Sequence, residues 1–361
     1  MNFNHGESRA RESQIELLRC ILMIVIVVHH LLVHGAGAGY FSSMSMSFST
    51  IQKLFVESFA LFPVDCFVII SGFYGISLKP SKLVSFWFQC AMYSVVFALI
   101  GLMAKAYTIK MLVWSLFPIS SGLWWFATSY FVLMLGSPFL NVISKTLSKS
   151  QFYYLLSILA FLNIVIRSVA NSSIAGTPGS SIVDFIFLYF IGQFMKLHID
   201  IKSLKLRNVC AIYVFMGLLL FSTTSLLVIS GHGAKMWSLH MYNNPMIIAQ
   251  AICIFFAFKL IPIKSRCINR LGSLSFGVYL IHDHEYVRSI MLKWLPNINS
   301  ASEHVYFIVY LIFFALAIFA ICSMIEYVRV SVYASLASVI NRYHSTKMAS
   351  TLWAKLINGL K

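Results

Sequence analysis

Ten times along this chain a run of roughly 17–25 mostly apolar residues gives way to a short polar segment. Each run is long enough, at about 1.5 Å per helical residue, to cross a hydrocarbon core of about 30 Å. The runs lie at about 15–33, 54–77, 83–104, 123–143, 151–169, 181–197, 208–229, 245–262, 271–292 and 305–328. Backbone amides in lipid have no water to bond, so such runs close their hydrogen bonds internally, as helices. Charged residues make up 11% of the chain and hydrophobic ones 59%. A soluble domain carries about 25% charged residues, and a disordered one has few apolar residues. Both classes are excluded. The expected fold is all-α: a polytopic membrane protein of about ten transmembrane helices over residues 12–328, with no soluble domain. Residues 329–361 are expected to form a cytoplasmic amphipathic tail, because Leu336, Val339, Ile340, Leu352 and Leu356 recur at helical spacing among basic residues.

The 27 Lys and Arg against 11 Asp and Glu leave a formal net charge of +16. In a soluble chain that excess would suggest nucleic acid as a partner. In a membrane chain it marks cytoplasmic loops instead, so no nucleic acid is expected. With the N-terminus inside, 20 of the 27 fall in cytoplasmic segments and five in outer ones, while Arg167 and Arg288 fall within spans. This places both termini in the cytoplasm of a multi-pass protein of the cell's inner (plasma) membrane. The first run has the basic flank and the small-residue stretch (Gly35 to Ala38) of a cleavable signal. Its adjacent histidines, His29 and His30, argue that it is retained. The seven cysteines lie mostly inside apolar runs, without a CxxC, and read as small core residues.

Ionisable groups inside a bilayer are costly, which makes each one a functional candidate. Arg19 and His30 bracket ten residues. Eleven helical steps of about 100° return to within about 20° of the same face, about 16 Å along the axis. His29 points about 80° away. Alone, the pair also reads as a snorkelling arginine and a helix-end histidine. Asp65 follows Pro63 in the second run and needs a cationic or hydrogen-bonding partner there. Ser71-Gly72, further along, suits close helix packing. The ninth run carries His282-Asp283-His284-Glu285 and Arg288. On one continuous helix His282 and His284 point about 200° apart and cannot share an ion, so no metal is expected. Glu285 and His284 instead have the spacing to form a polar cluster with Arg288. Arg167 and Asp184, near the outer ends of adjacent runs, read as a structural ion pair. Trp124 and Trp125 open the fourth run, where an aromatic belt would place them.

Together these segments resemble the acyltransferase-3 family of integral membrane acyltransferases, many of which O-acetylate bacterial surface polysaccharides. The family's Arg-x10-His element is matched by Arg19 through His30. Its second-helix pattern is matched by Val64-Asp65-Cys66-Phe67 through Ser71-Gly72-Phe73, its Leu-Trp motif by Leu123-Trp124, and a late Tyr-Leu-Ile-His by Tyr279 to His282. The likeness runs from about Glu12 to Glu326. Many relatives carry Asp where Glu16 stands and an aromatic where Cys66 stands. The basic stretch after Ser-Gly-Phe is reduced to Lys79 and Lys82.

The resemblance implies a membrane-bound O-acyltransferase that uses cytoplasmic acyl-CoA, acetyl-CoA above all, as donor substrate and has no permanently bound cofactor. The acceptor it implies is a sugar hydroxyl on an exported glycan or lipid-linked sugar. Arg19, Lys79 and Lys82 would hold the donor's phosphates. His30 would deprotonate the hydroxyl or carry the acyl group, with Asp65 orienting the imidazole. His282, Glu285, Arg288 and Trp124 would contact the acceptor. Two other classes fit the same polar groups: a glycan transporter or flippase, which the lack of an inverted repeat disfavours, and a silent scaffold. The charge bias generates the first prediction. Reporter fusions after Lys149 and Lys235 are expected to read cytoplasmic and external, respectively; the same side for both overturns the topology.

Overall fold

The computed structural model describes residues 11–35, 45–166, 179–295 and 298–358, with backbone alone over 336–358. Sixteen α-helices account for most of these residues, and no strand occurs among them. Seven helical segments are long and apolar enough to cross a membrane. These are α1 with its extension (Ser13–Gly35), α2 and α3 together (Phe48–Tyr74), α4 (Pro80–Met103) and α6 (Trp125–Thr146). The others are α7 with its extension (Lys149–Ile166), α9 (Leu206–Ile229) and the membrane part of α16 (Phe307–Ser335). A short helix, α5 (Ile109–Ser115), links α4 to α6.

The remaining three expected spans are shorter or interrupted. Helix α8 (Ile182–His198) has 17 residues, and α11 (Pro245–Leu260), which follows the single-turn α10 (Met236–Leu239), has 16. The expected 271–292 span is broken into pieces: α12 (Arg266–Gly272), α13 (Ser275–His282) and α14 (Glu285–Trp294). Irregular backbone at membrane depth is tolerated where protein rather than lipid surrounds it. After α15 (Ile298–Ala301), α16 runs unbroken from Phe307 to Asn358, so the last span and the tail form one helix.

The second span, expected as one helix, also breaks. Helix α2 (Phe48–Ser58) ends, and Pro63 opens α3 (Pro63–Tyr74). Proline has no N–H to give a preceding turn, and its fixed φ suits the first helical position. Helix α1 (Ser13–His30) likewise changes pitch, with Leu31–Gly35 continuing it in wider π winding.

Helix α1 lies inside the bundle, packed against α3, α11, α12, α13 and α16. The apolar windows of the first two spans are 61% and 72% buried, against 11–33% for the other long helices. Those others present Val84, Phe88, Phe139, Phe215 and Phe313 outward, as a lipid-facing surface requires. The chemistry-bearing helices are the interior ones.

The tightest approach is between α3 and α8. A Cβ added at Gly72 would fall on the backbone of Tyr189, and one added at Gly192 on the Ile69 carbonyl. Small residues that let two backbones meet drive helix association in lipid. This is the close packing that Ser71-Gly72 suggests, now with its partner. Gly136 on α6, by contrast, faces open space. Gly72→Ala is therefore expected to cost on the order of 1–3 kcal/mol through overpacking and to lower the thermal stability of detergent-purified protein. Gly136→Ala should leave it unchanged or slightly raised. Thermal unfolding followed by size-exclusion chromatography checks both.

Candidate active site

One cavity of about 350 Å³ is lined by Arg11, Arg19 and His30 together with His29, Trp125, Tyr130 and Tyr242. Arg19 and His30 lie eleven steps apart on α1, so a cavity that reaches both extends about 16 Å along that helix. The face argument thus places both side chains on one space. His29 lines the same space, as do Ala60 and Leu61 at the α2–α3 break, so the face argument does not keep it off the cavity.

Arg19 is held by Glu16, with Nη1 2.9 Å from Oε1, while its side chain stays 34% exposed. Arg11 joins it at the cavity and donates from Nη1 to the Asn269 carbonyl at 3.2 Å. Lys79 and Lys82, expected beside them, are exposed and do not line the cavity. They open α4, whose contribution to the cavity is Phe86, about one turn further on. The second cation at the cavity is Arg11, which the sequence presents only as one of several basic flanking residues.

His30 is bound on its Nδ1 side. That atom lies 3.1 Å from Nε2 of His282 and 3.5 Å from Oδ1 of Asp283. His282 Nδ1 in turn lies 2.7 Å from the Val278 carbonyl oxygen. Arg288 donates to Asp283 Oδ1 at 2.9 Å. His29 has its own carboxylate, with Nδ1 2.8 Å from Glu57 Oε1.

The structure places several of the expected residues away from where the sequence suggests. The carboxylate beside His30 is Asp283, not Asp65. Asp65 is fully buried in the first turn of α3, off the cavity, and neither of its oxygens has a hydrogen-bond partner among the described residues. Its neighbours Pro63 and Val64 take the cavity-facing positions, and each helical step turns the next side chain about 100° away. His282 is fully buried and does not line the cavity. Glu285 is exposed at the start of α14, and Arg288 bonds Asp283 rather than Glu285 or His284. His284 and Glu285 do share α14 with Arg288, but the His284 ring is turned back to accept from the Tyr286 amide at 3.2 Å and Glu285 is exposed, while Asp283, just before the break, meets the guanidinium.

Trp124 is buried with its ring edge-on to His284 at 5.6 Å, and it does not line the cavity. Its neighbour Trp125 does, stacked on Tyr242 at 5.7 Å. The fourth span thus contributes its second tryptophan, not its first. Arg167 lies outside the described residues. Asp184 accepts from the amide and hydroxyl of Ser181 at 3.0 and 2.6 Å, a capping box that opens α8. All seven cysteines are free.

Two groups in the loop before α11 set local polarity. Burial pushes the His240 imidazole down to about 4, against the pull of Glu57, so the ring is neutral at pH 7. Burial, with Glu57, Asp65 and Asp283 nearby, pushes the Tyr242 phenol up. Tyr242 therefore faces the cavity as a hydrogen-bond donor.

An interior helix thus carries a cation and an imidazole onto one cavity. A family model described as "Acyltransferase domain" (Acyl_transf_3) matches residues 12–327. The chain belongs to this acyltransferase-3 family, and it is a membrane acyltransferase. Comparison with curated proteins and with solved structures finds no match.

Proposed function

We propose that the protein transfers an acyl group, acetyl in the simplest case, from cytoplasmic acyl-CoA to a sugar hydroxyl of an exported or lipid-linked glycan. The observation that carries this reading is the single cavity shared by Arg19 and His30. Arg19 and Arg11 would pair with the donor's phosphates, the pantetheine arm would run along α1, and the thioester would reach His30. Ser71 and Tyr130, whose hydroxyls lie 3.0 Å apart on the cavity wall, would meet the arm's amides. The stacked Trp125 and Tyr242 offer an aromatic face and a phenol donor of the kind a sugar ring uses. In this reading both termini are cytoplasmic, in the plasma membrane, and no permanently bound cofactor takes part.

His30 takes the proton of the acceptor hydroxyl as its oxygen attacks the thioester carbonyl. The C–O bond forms, the C–S bond breaks, and the leaving thiolate takes the proton from the imidazolium to give free CoA. A hydroxyl is a poor nucleophile at neutral pH, and an imidazole is the natural base for it.

The test is purified protein with radiolabelled acetyl-CoA and a panel of oligosaccharide acceptors. His30→Ala is expected to lower label transfer by about 10²–10⁴-fold with the protein folded, and His29→Ala to be clearly milder. Equal loss in both variants, or none in His30→Ala, overturns the assignment of the base. Glycan movement without any label transfer supports a transporter instead. Arg19→Lys is expected to raise the donor KM about tenfold and leave the acceptor KM unchanged, since an ammonium does not reproduce bidentate phosphate pairing. An unchanged donor KM removes Arg19 from the donor site.

A further inference from the structure

His282 has no contact with the cavity, yet it is bound to the one imidazole that does the chemistry proposed there. Its protons can be placed from its partners. A carbonyl oxygen only accepts hydrogen bonds, so the 2.7 Å contact with the Val278 carbonyl puts the His282 proton on Nδ1. A neutral imidazole has one N–H, which leaves Nε2 of His282 as a lone pair. A second proton would put a charge on a ring that is fully buried. The atom 3.1 Å from that lone pair is His30 Nδ1, which must then be the donor. His30 in turn keeps its own lone pair on Nε2, the nitrogen this network does not engage, on a ring that lines the cavity.

We propose that His282 is a positioning residue: anchored by the Val278 carbonyl, it holds His30 in the Nδ1–H tautomer and so presents the Nε2 lone pair to the acceptor hydroxyl. This rests on the reading of His30 as the base. The other tautomer of His30 would set two lone pairs against each other at 3.1 Å. Asp283 completes the arrangement. Its Oδ1 lies 3.5 Å from His30 Nδ1 and 2.9 Å from the Arg288 guanidinium. When Nε2 takes the hydroxyl proton, the resulting imidazolium finds a carboxylate beside it, while Arg288 offsets that carboxylate in the resting state. The ring's other ionisable neighbours are His29 and His34, both with centroids 5.6 Å away, and neither is within hydrogen-bond distance in the described contacts.

Both partners sit at the end of one helix. His282 is the last residue of α13, and Asp283 caps it with its amide still bonded to the Tyr279 carbonyl at 3.1 Å, so the two are successive helical positions. They reach the same His30 nitrogen at 3.1 and 3.5 Å, just before His284 opens α14.

Two variants and two measurements test the proposal. His282→Leu removes the acceptor, while His282→Gln offers an amide oxygen in place of Nε2. The first measurement needs no acceptor substrate: ¹⁵N shifts of histidine-labelled protein in micelles, with the His30 signal assigned by its loss in His30→Ala. Wild type and His282→Gln are expected to show His30 protonated at Nδ1, and His282→Leu a tautomer mixture. The second is turnover of acetyl-CoA with the acceptor that takes label best. Here His282→Leu should lower kcat by about 10²-fold or more with both KM values within about twofold, and His282→Gln should recover most of it. His30 protonated at Nε2 in wild type overturns the proposal. So does full activity in His282→Leu, or a His282→Gln variant that is folded yet as inactive as His282→Leu. The expected tautomers together with an active His30→Ala would leave the network standing and remove the role of His30 as base. Should His282→Leu fail to fold, the wild-type and His282→Gln spectra still decide.

Discussion

A hydrogen-bonding side chain enclosed by hydrocarbon has to find its partner on the protein, and in this chain that requirement falls on the central helix. Helix α1 carries Glu16, Arg19, His29 and His30 through the middle of the bundle. Arg19 is satisfied within α1 by Glu16. The two histidines take partners from elsewhere: His29 takes Glu57 from α2, and His30 takes His282 and Asp283 from the end of α13. Just before α1, Glu12 binds Lys259 of α11 at 2.6 Å. Each pair ties a different element to α1, so the polar groups that form the site also set the arrangement around it. Removing one partner of such a pair leaves a buried, unmatched group, which costs more than the pair itself contributes.

Asp65 stands apart from that pattern. It is fully buried and without a hydrogen-bond partner for either oxygen among the described residues. The acyltransferase-3 resemblance singles it out, but the geometry gives the imidazole-facing role to Asp283. Sequence adjacency misleads here because the first and second spans are neighbours in the chain, whereas the partner of His30 comes from a helix some 250 residues away.

Three of the departures from regular helix lie beside the cavity or the His30 ring, whereas the π winding of Phe161–Ile166 at the end of α7 does not. The α2–α3 break lies against the cavity through Ala60, Leu61 and Pro63; the π winding begins directly after His30; the α13–α14 break follows His282 and Asp283. A regular helix turns successive side chains about 100° apart and keeps its own backbone groups occupied. Elsewhere in the bundle the long helices α4 and α9 run without interruption, and their surfaces are those of lipid-facing segments.

Much of this protein was legible before any coordinates. The apolar runs determine an all-α membrane fold because no other backbone arrangement of such segments survives in lipid. The Arg19–His30 spacing determines a shared face because helical geometry is nearly rigid over three turns. Neither argument needs a neighbour. The rest does. That Trp125 rather than Trp124 meets the cavity, that Arg11 rather than Lys79 or Lys82 joins Arg19, and that Asp283 rather than Asp65 meets His30 are choices between residues of similar type on helices whose rotation is set by packing. Sequence periodicity orients a helix when one face is polar and the other apolar. Inside a bilayer the lipid-facing and protein-facing sides are both apolar, so that signal is lost. The rotation of each helix, and the place where the ninth span breaks, were decided only by the bundle as a whole.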